Sequence, residues 1–181
     1  MDAPILKSSR LILRPIKIQD APIFARWFKD KRVVRYLLMQ NPLTLSKEIE
    51  WIKKTLKEKN QLVWSILNEN KKLIGNTCLK LDKNNKSAVF GIVIGEKDEW
   101  GKDYAGETID LLADYLFKKL KFNRLELSVF TENKGAKKAY KKAGFVLEGI
   151  KRKAHRNKIT KKFDDDGIMS ILREEWVRGR F

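Results

Sequence analysis

A chain of 181 residues, 43% hydrophobic and carrying a formal charge of +17, is sized for one domain, residues 1–181, around a single buried core. It has no run of eighteen apolar residues, and its start, MDAPILKSSR, lacks the charged-then-apolar layout of a secretory signal; no membrane span and a cytoplasmic location are expected. The lone cysteine, Cys78, excludes an intrachain disulfide and a thiolate metal cluster, so no metal is expected and Cys78 reads as a small core residue.

In chain order, RLILRPI (Arg10 to Ile16) reads as a strand. A helix follows, with Asp20 as its cap, Pro22 in its first turn, and Ile23, Phe24, Trp27 and Phe28 on one face. Ser46 reads as the cap of a second helix with Ile49, Ile52 and Leu56 at helical spacing. Three strand-like runs come next, QLVWSILNE, KLIGNTCLKLD and SAVFGIVIG, separated by the turn signals NENK and KNNK. After the loop EWGKDYAGE, the stripe Ile109, Leu112, Ala113, Leu116, Phe117 and Leu120 predicts a long helix, and RLELSVF (Arg124 to Phe130) a strand closely behind it. Strand, helix and strand in that order make a parallel crossover. A short helix from about Asn133 to Ala143 should end at Gly144. Two strands, FVLEGIKRKA and DGIMSILREEW, then flank the basic loop HRNKITKKFDD. The expected fold class is mixed α/β (α+β): a mostly antiparallel sheet with one central parallel βαβ crossover and helices on both faces.

The charge is uneven. Lys118 to Lys162 holds sixteen Lys or Arg against three Glu, a surface that attracts polyanions such as RNA, the ribosome or an anionic cofactor. Few aromatics are interleaved with these cations, which argues against a platform for stacking single-stranded bases. A solvated lysine-rich surface is the other reading.

The loop WGKDYAGET sits where a strand gives way to a helix, the place for a phosphate cradle. It is not a Walker loop, because Gly106 is followed by Glu107 and Thr108 rather than Lys and Ser/Thr. Nor is it a dinucleotide fingerprint, because Gly101 is followed by Lys102 and Asp103. A third candidate is the diphosphate of an acyl-coenzyme A, held by main-chain N–H groups and the positive end of the helix dipole. The ordered run from IGEKDEWGKDYAGETIDLL through ENKGAKKAYKKAGFVLEG resembles the core of the GNAT superfamily of N-acetyltransferases. Within it, SSRLILRPIKIQDA and DGIMSILREEW are similar to the first and last elements of the branch that acetylates ribosomal-protein N-termini (RimJ/RimL-like).

The resemblance implies an acetyl-CoA-dependent N-acetyltransferase, acting as a monomer or homodimer, and a concrete site. The superfamily's Gln/Arg-x-x-Gly-x-Gly/Ala signature falls on Trp100, Gly101, Lys102, Asp103, Tyr104 and Ala105, followed by Gly106, with Trp100 in place of Gln/Arg and Asp103 in place of glycine. Asp103 tolerates left-handed backbone angles, so its carboxylate is expected to face away from the anion. Main chain of Gly91, Ile92, Val93 and Ile94 would bind pantetheine and thioester. Asn133 would bond the pantetheine beside Ala136, and Tyr140 would protonate the leaving thiolate, a phenol's pKa being near 10. The strand before the loop has no carboxylate, which leaves three readings of the base: His155, whose residue type titrates near neutrality, Glu148, or bulk water. The acceptor is a primary amine. A protein N-terminus, particularly on the ribosome, suits the positive field; a polyamine or aminoglycoside is the alternative, and a non-catalytic RNA- or ribosome-binding module is the reading from another class.

Overall fold

In a computed structural model the described residues are 3–37, 44–157 and 160–178. Strands β1 (Leu6–Lys7) and β2 (Leu11–Pro15) lead into helices α1 (Ala21–Lys29), α2 (Lys31–Val34) and α3 (Leu45–Thr55). A meander of β3 (Gln61–Asn68), β4 (Leu73–Asp82) and β5 (Ser87–Ile94) follows, and α4 (Tyr104–Asp114) crosses over to β6 (Arg124–Phe130). Helix α5 (Lys134–Lys142), the hairpin β7 (Val146–Arg156) and β8 (Phe163–Leu172), and α6 (Arg173–Arg178) complete the described chain. The strands form one sheet in the order β1-β2-β3-β4-β5-β6-β8-β7. Among these pairings only β5 with β6 is parallel, which is the expected mixed sheet with its central crossover.

Two apolar layers cover the sheet. On one face Ile109, Leu112, Ala113 and Leu116, spaced three and four apart on α4 and its continuation, pack with Phe90, Leu125, Leu127, Val129, Met169 and Ile171. Each large side chain buried there contributes about 1.5 to 3 kcal/mol. On the other face Phe24, Trp27 and Phe28 of α1 and Ile52 of α3 pack with Val63, Cys78 and Val93. Cys78 is accordingly a packed thiol whose pKa burial pushes up to about 11, outside the range of reactive thiolates. The alternation along β5 is therefore fixed: Phe90, Ile92 and Ile94 belong to the α4 face, Val93 to the α1 face.

Several local expectations shift. The cap of α3 is Thr44, which accepts from the Lys47 N–H, rather than Ser46. Asp20 precedes α1 without capping it by its side chain; its carboxylate accepts from Arg14 and Ser65 instead. The segment REEW begins a helix, not the tail of a strand, and Trp176 donates to Asp114 at 2.9 Å. The hairpin strands are longer than the pattern indicated: β7 runs to Arg156 and β8 starts at Phe163, so His155 and the three aspartates 164–166 lie in strands. The basic loop shrinks to a connection whose residues 158 and 159 lie outside the described residues. No helix among the described residues is long and apolar enough to cross a membrane.

Candidate active site

The parallel ladder is short. It pairs Ser87, Ala88 and Val89 with Arg124, Leu125 and Glu126 and then stops. Beyond that point β5 stays with β4 through Ile94, whereas β6 stays with β8 through Phe130. The two strands diverge, and the main chain of Gly91 to Ile94 faces the gap with one edge outside the parallel ladder. Such an edge offers N–H and C=O groups that a ligand's amides satisfy. Packing pins the end of β5. Gly95 lies so close under Trp27 that a Cβ there would meet its ring at 2.0 Å, and the Gly95 N–H donates to Ile74 O at 2.9 Å.

The loop after β5 turns through left-handed residues and carries tethers that sequence spacing did not show. Gly101 (φ +81) and Asp103 (φ 65, ψ 18) are both left-handed, which turns consecutive N–H groups toward one side. The first bond into α4 is Glu107 N–H to Asp103 O at 3.2 Å, so the N–H groups of Tyr104, Ala105 and Gly106 precede the intrahelical ladder. Glu99, buried beneath the loop, accepts from Asn68 at 3.3 Å and from Lys102 at 2.8 Å. Lys102 is therefore committed to Glu99, which raises its pKa. Tyr104 is buried, donates to Glu69 at 3.0 Å, and lies under the Arg10 guanidinium. Trp100 is 45% exposed and its indole donates to Ile94 O at 2.7 Å, folding the loop back over the strand end.

Tyr140 lies on the α4 face at the branch point. Its ring meets Phe90, the first β5 residue beyond the parallel ladder, edge-on at 6.2 Å and Phe145 at 6.0 Å. Burial raises its pKa to about 12, so it stays a neutral phenol and a proton donor throughout the neutral range. Asn133 caps α5 by accepting from the Ala136 N–H at 3.1 Å, which orients its amide and leaves the amide nitrogen as a donor. Ala136 packs against the same apolar layer as Tyr140.

His155 belongs to the opposite face. Its ring stands edge-on to Phe130, the last residue of the diverging β6, at 5.7 Å. Its Nε2 lies 2.9 Å from a carboxylate oxygen of Asp166, a residue only 5% exposed, and Ser128 donates to the same oxygen. A carboxylate on Nε2 selects the tautomer with the proton there and leaves Nδ1 as the acceptor. Asp166 stands out in the sequence only as part of the acidic patch Asp164 to Asp166, not as a partner of His155, because two bulges in the β7–β8 pairing break any fixed spacing between the two.

Glu148 is a correction. Both its oxygens accept from Arg124 and one also from Ser170. The Arg124 bonds, then the Ser170 bond, lower its pKa to about 2. A carboxylate held that low is a poor proton acceptor at neutral pH; it ties β7 to β6 and β8. Among the described residues no group of three or more His, Cys, Asp or Glu is arranged to hold a metal ion.

Residues 10–146 match the family model described as the acetyltransferase (GNAT) domain. The chain belongs to the GNAT acetyltransferase family. It is 32% identical over 154 residues to the uncharacterised N-acetyltransferase YoaA of Bacillus subtilis (strain 168), covering 82% of this chain and 86% of that one. It is 28% identical to the N-acetyltransferase p20 of Bacillus licheniformis over 95% and 98% of the two chains. Among solved structures, spermidine N-acetyltransferase from Vibrio cholerae in complex with CoA and spermine superposes with a TM-score of 0.86 at 24% identity, covering 94% of this chain and 99% of that one. A chimera of the same enzyme, SpeG, gives 0.84 at 26% identity over 93% and 99%. This GNAT protein is thus an acetyl-CoA-dependent N-acetyltransferase with the family's mixed sheet. The left-handed loop, the free first turn of α4 and the unladdered edge of β5 fit a diphosphate followed by an amide-bearing arm.

Proposed function

We propose that this GNAT enzyme acetylates a primary amine entering on the α1 face, with His155 as general base and Tyr140 as the acid on the α4 face. The observation that carries this reading is the placement of the two residues at the diverging strands: Tyr140 against Phe90 of β5 and His155 against Phe130 of β6. Acetyl-CoA supplies the activated acyl group as a thioester. As the new N–C bond forms and the C–S bond breaks, Nδ1 of His155 takes the amine proton, and Asp166 stabilises the resulting imidazolium. The Tyr140 hydroxyl gives its proton to the departing sulfur. Main-chain N–H groups between Gly91 and Ile94 hold the carbonyl oxygen as charge develops, and those from Gly101 to Gly106 hold the diphosphate.

For the acceptor, the α1 face of β6, β8 and β7 is informative. Ser128 and Val89 are exposed there, an open approach suited to the end of a polypeptide. The carboxylates in this region already have partners: Glu126 and Glu148 with Arg124, Asp166 with His155, Asp164 with Asn157. A single guanidinium offsets Glu126 and Glu148, whereas Asp164 is bonded to the neutral Asn157 amide and Asp165 to the Lys153 N–H, so both keep their charge. The favoured acceptor is a protein N-terminus, as in the RimJ/RimL-like branch, because the basic run from Lys118 to Lys162 suits one presented on an RNA-rich particle and repels a polycation at long range. The second reading is a polyamine, supported by the likeness to the spermidine enzyme of Vibrio cholerae. Thiol release from acetyl-CoA with a panel of peptides bearing free N-termini, spermidine and an aminoglycoside separates them. Turnover with peptides alone is expected; turnover with spermidine alone would overturn the N-terminal reading.

A further inference from the structure

The side chain of Asp103 does not turn away from the groove. It makes no cap bond to α4. Its carboxylate lies along the first turn, with one oxygen 2.7 Å from where a Cβ on Gly106 would stand, and it forms an ion pair with Lys142 at the end of α5. The pair spans a cavity of about 280 Å³ whose lining includes the cations Arg10 and Lys142, the carboxylates Asp103, Glu107 and Asp110, and Gly106. The other cations beside the loop are committed: Lys102 to buried Glu99, and Arg10 to Glu107, the Lys102 carbonyl and the Tyr104 ring. Asp103 and Lys142 are both largely solvated, at 43% and 71% side-chain exposure, and an ion pair so exposed is weak. The pair brings an anion and a cation together over helical N–H groups with no partner in the intrahelical ladder.

We propose that Asp103 is a placeholder for a cofactor phosphate: its carboxylate holds Lys142 over the first turn of α4 and yields the ammonium to the diphosphate of acetyl-CoA. The proposal rests on the acetyl-CoA reading of the loop and adds to it one side-chain contact and one competitor. It also gives Asp103 a consequence. The carboxylate repels the incoming diphosphate and occupies its cation, so cofactor affinity is set below what the loop alone would reach. Glycine suits the left-handed angles of residue 103, so Asp103→Gly removes the competitor without straining the turn.

Titration calorimetry with coenzyme A, 3′-dephospho-coenzyme A and pantetheine tests this on wild type, Asp103→Gly, Lys142→Met and the double variant. Lys142→Met should weaken both nucleotides by about tenfold in the Asp103→Gly background, the size of one charge-assisted hydrogen bond, and by less when Asp103 is present to compete for the ammonium. Asp103→Gly should tighten both by several-fold, and pantetheine, which has no diphosphate, should respond to neither change. Unaltered coenzyme A affinity in Lys142→Met, or weaker binding in Asp103→Gly, would overturn the proposal. A Lys142→Met loss seen with coenzyme A but not with the 3′-dephospho form would also overturn it, by moving the lysine to the 3′-phosphate. Wild-type binding of coenzyme A tests the underlying reading separately, because it depends on neither variant.

Discussion

In the proposed reading the two arms of the diverging sheet solve different problems, binding and chemistry, with different materials. The β5 arm and its loop use main chain: a strand edge outside the parallel ladder, two left-handed residues and the start of a helix, braced from below by Glu99 and Tyr104. The β6–β8–β7 arm uses side chains brought together across the sheet: His155 with Asp166 and Ser128, and Glu148 with Arg124 and Ser170. A binding arm built of backbone tolerates changes of side chain, including the aspartate in place of a signature glycine. In the proposed mechanism the proton transfer depends on one side chain and its partner, so substitutions of His155 or Asp166 should strike turnover and leave cofactor affinity alone.

The largest expected effect breaks that division most plainly if it is absent. His155→Ala should lower turnover by about 10² to 10⁴, the usual range for a general base, with coenzyme A affinity unchanged by calorimetry. Asp166→Asn should approach the same loss while leaving the imidazole in place, because the amide no longer selects the tautomer; equal turnover in wild type and Asp166→Asn would reduce Asp166 to a structural partner. Tyr140→Phe should cost less, about 10- to 100-fold in turnover, with little change in cofactor binding, and steady-state kinetics beside calorimetry separates the two.

Glu148→Gln sharpens the contrast from the other side. It should keep most of the activity, since Glu148 is locked to Arg124, and its 40% side-chain exposure keeps the stability loss within about 1 kcal/mol. A collapse of turnover to the His155→Ala level would return Glu148 to the role of base.

A slower, pH-linked effect lies outside both arms. Glu48 on α3 is 1% exposed, one of its carboxylate oxygens has no hydrogen-bond partner, and burial raises its pKa to about 7 from 4.5. A folded-state pKa above the unfolded value gives stability that is complete below about pH 4.5 and is lost as pH rises through 7. The loss amounts to about 3 kcal/mol by linkage. Glu48→Gln cannot ionise, so urea unfolding at pH 5 and pH 8.5 should show wild type losing stability relative to the variant across that interval. Parallel curves would mean that Glu48 finds a partner when charged.

Most of the sheet was legible because its strands and α4 carry clean periodicities, and the cradle was legible because glycines and a following apolar stripe mark it locally. The partners of the chemical residues were not. Asp166 reaches His155 only through the register of a hairpin with two bulges, and Lys142 reaches Asp103 from another helix, 39 positions on. Glu148 was one of three readings of the base, yet Arg124, 24 positions away in the chain, holds its carboxylate ionised and lowers its pKa. Cap chemistry also misled: Thr44 rather than Ser46 starts α3, a difference of two residues between equally good capping types.

The proposal that proton transfer works through His155 is tested most directly by the pH dependence of kcat at saturating acceptor, followed by thiol release with the best acceptor from the amine panel, in wild type and His155→Ala. The wild-type profile should show a limb falling toward acid as the base is protonated, and the variant should lose that limb along with most of its rate. The same limb, at the same pH, in His155→Ala would contradict the account and assign the proton to another group or to water.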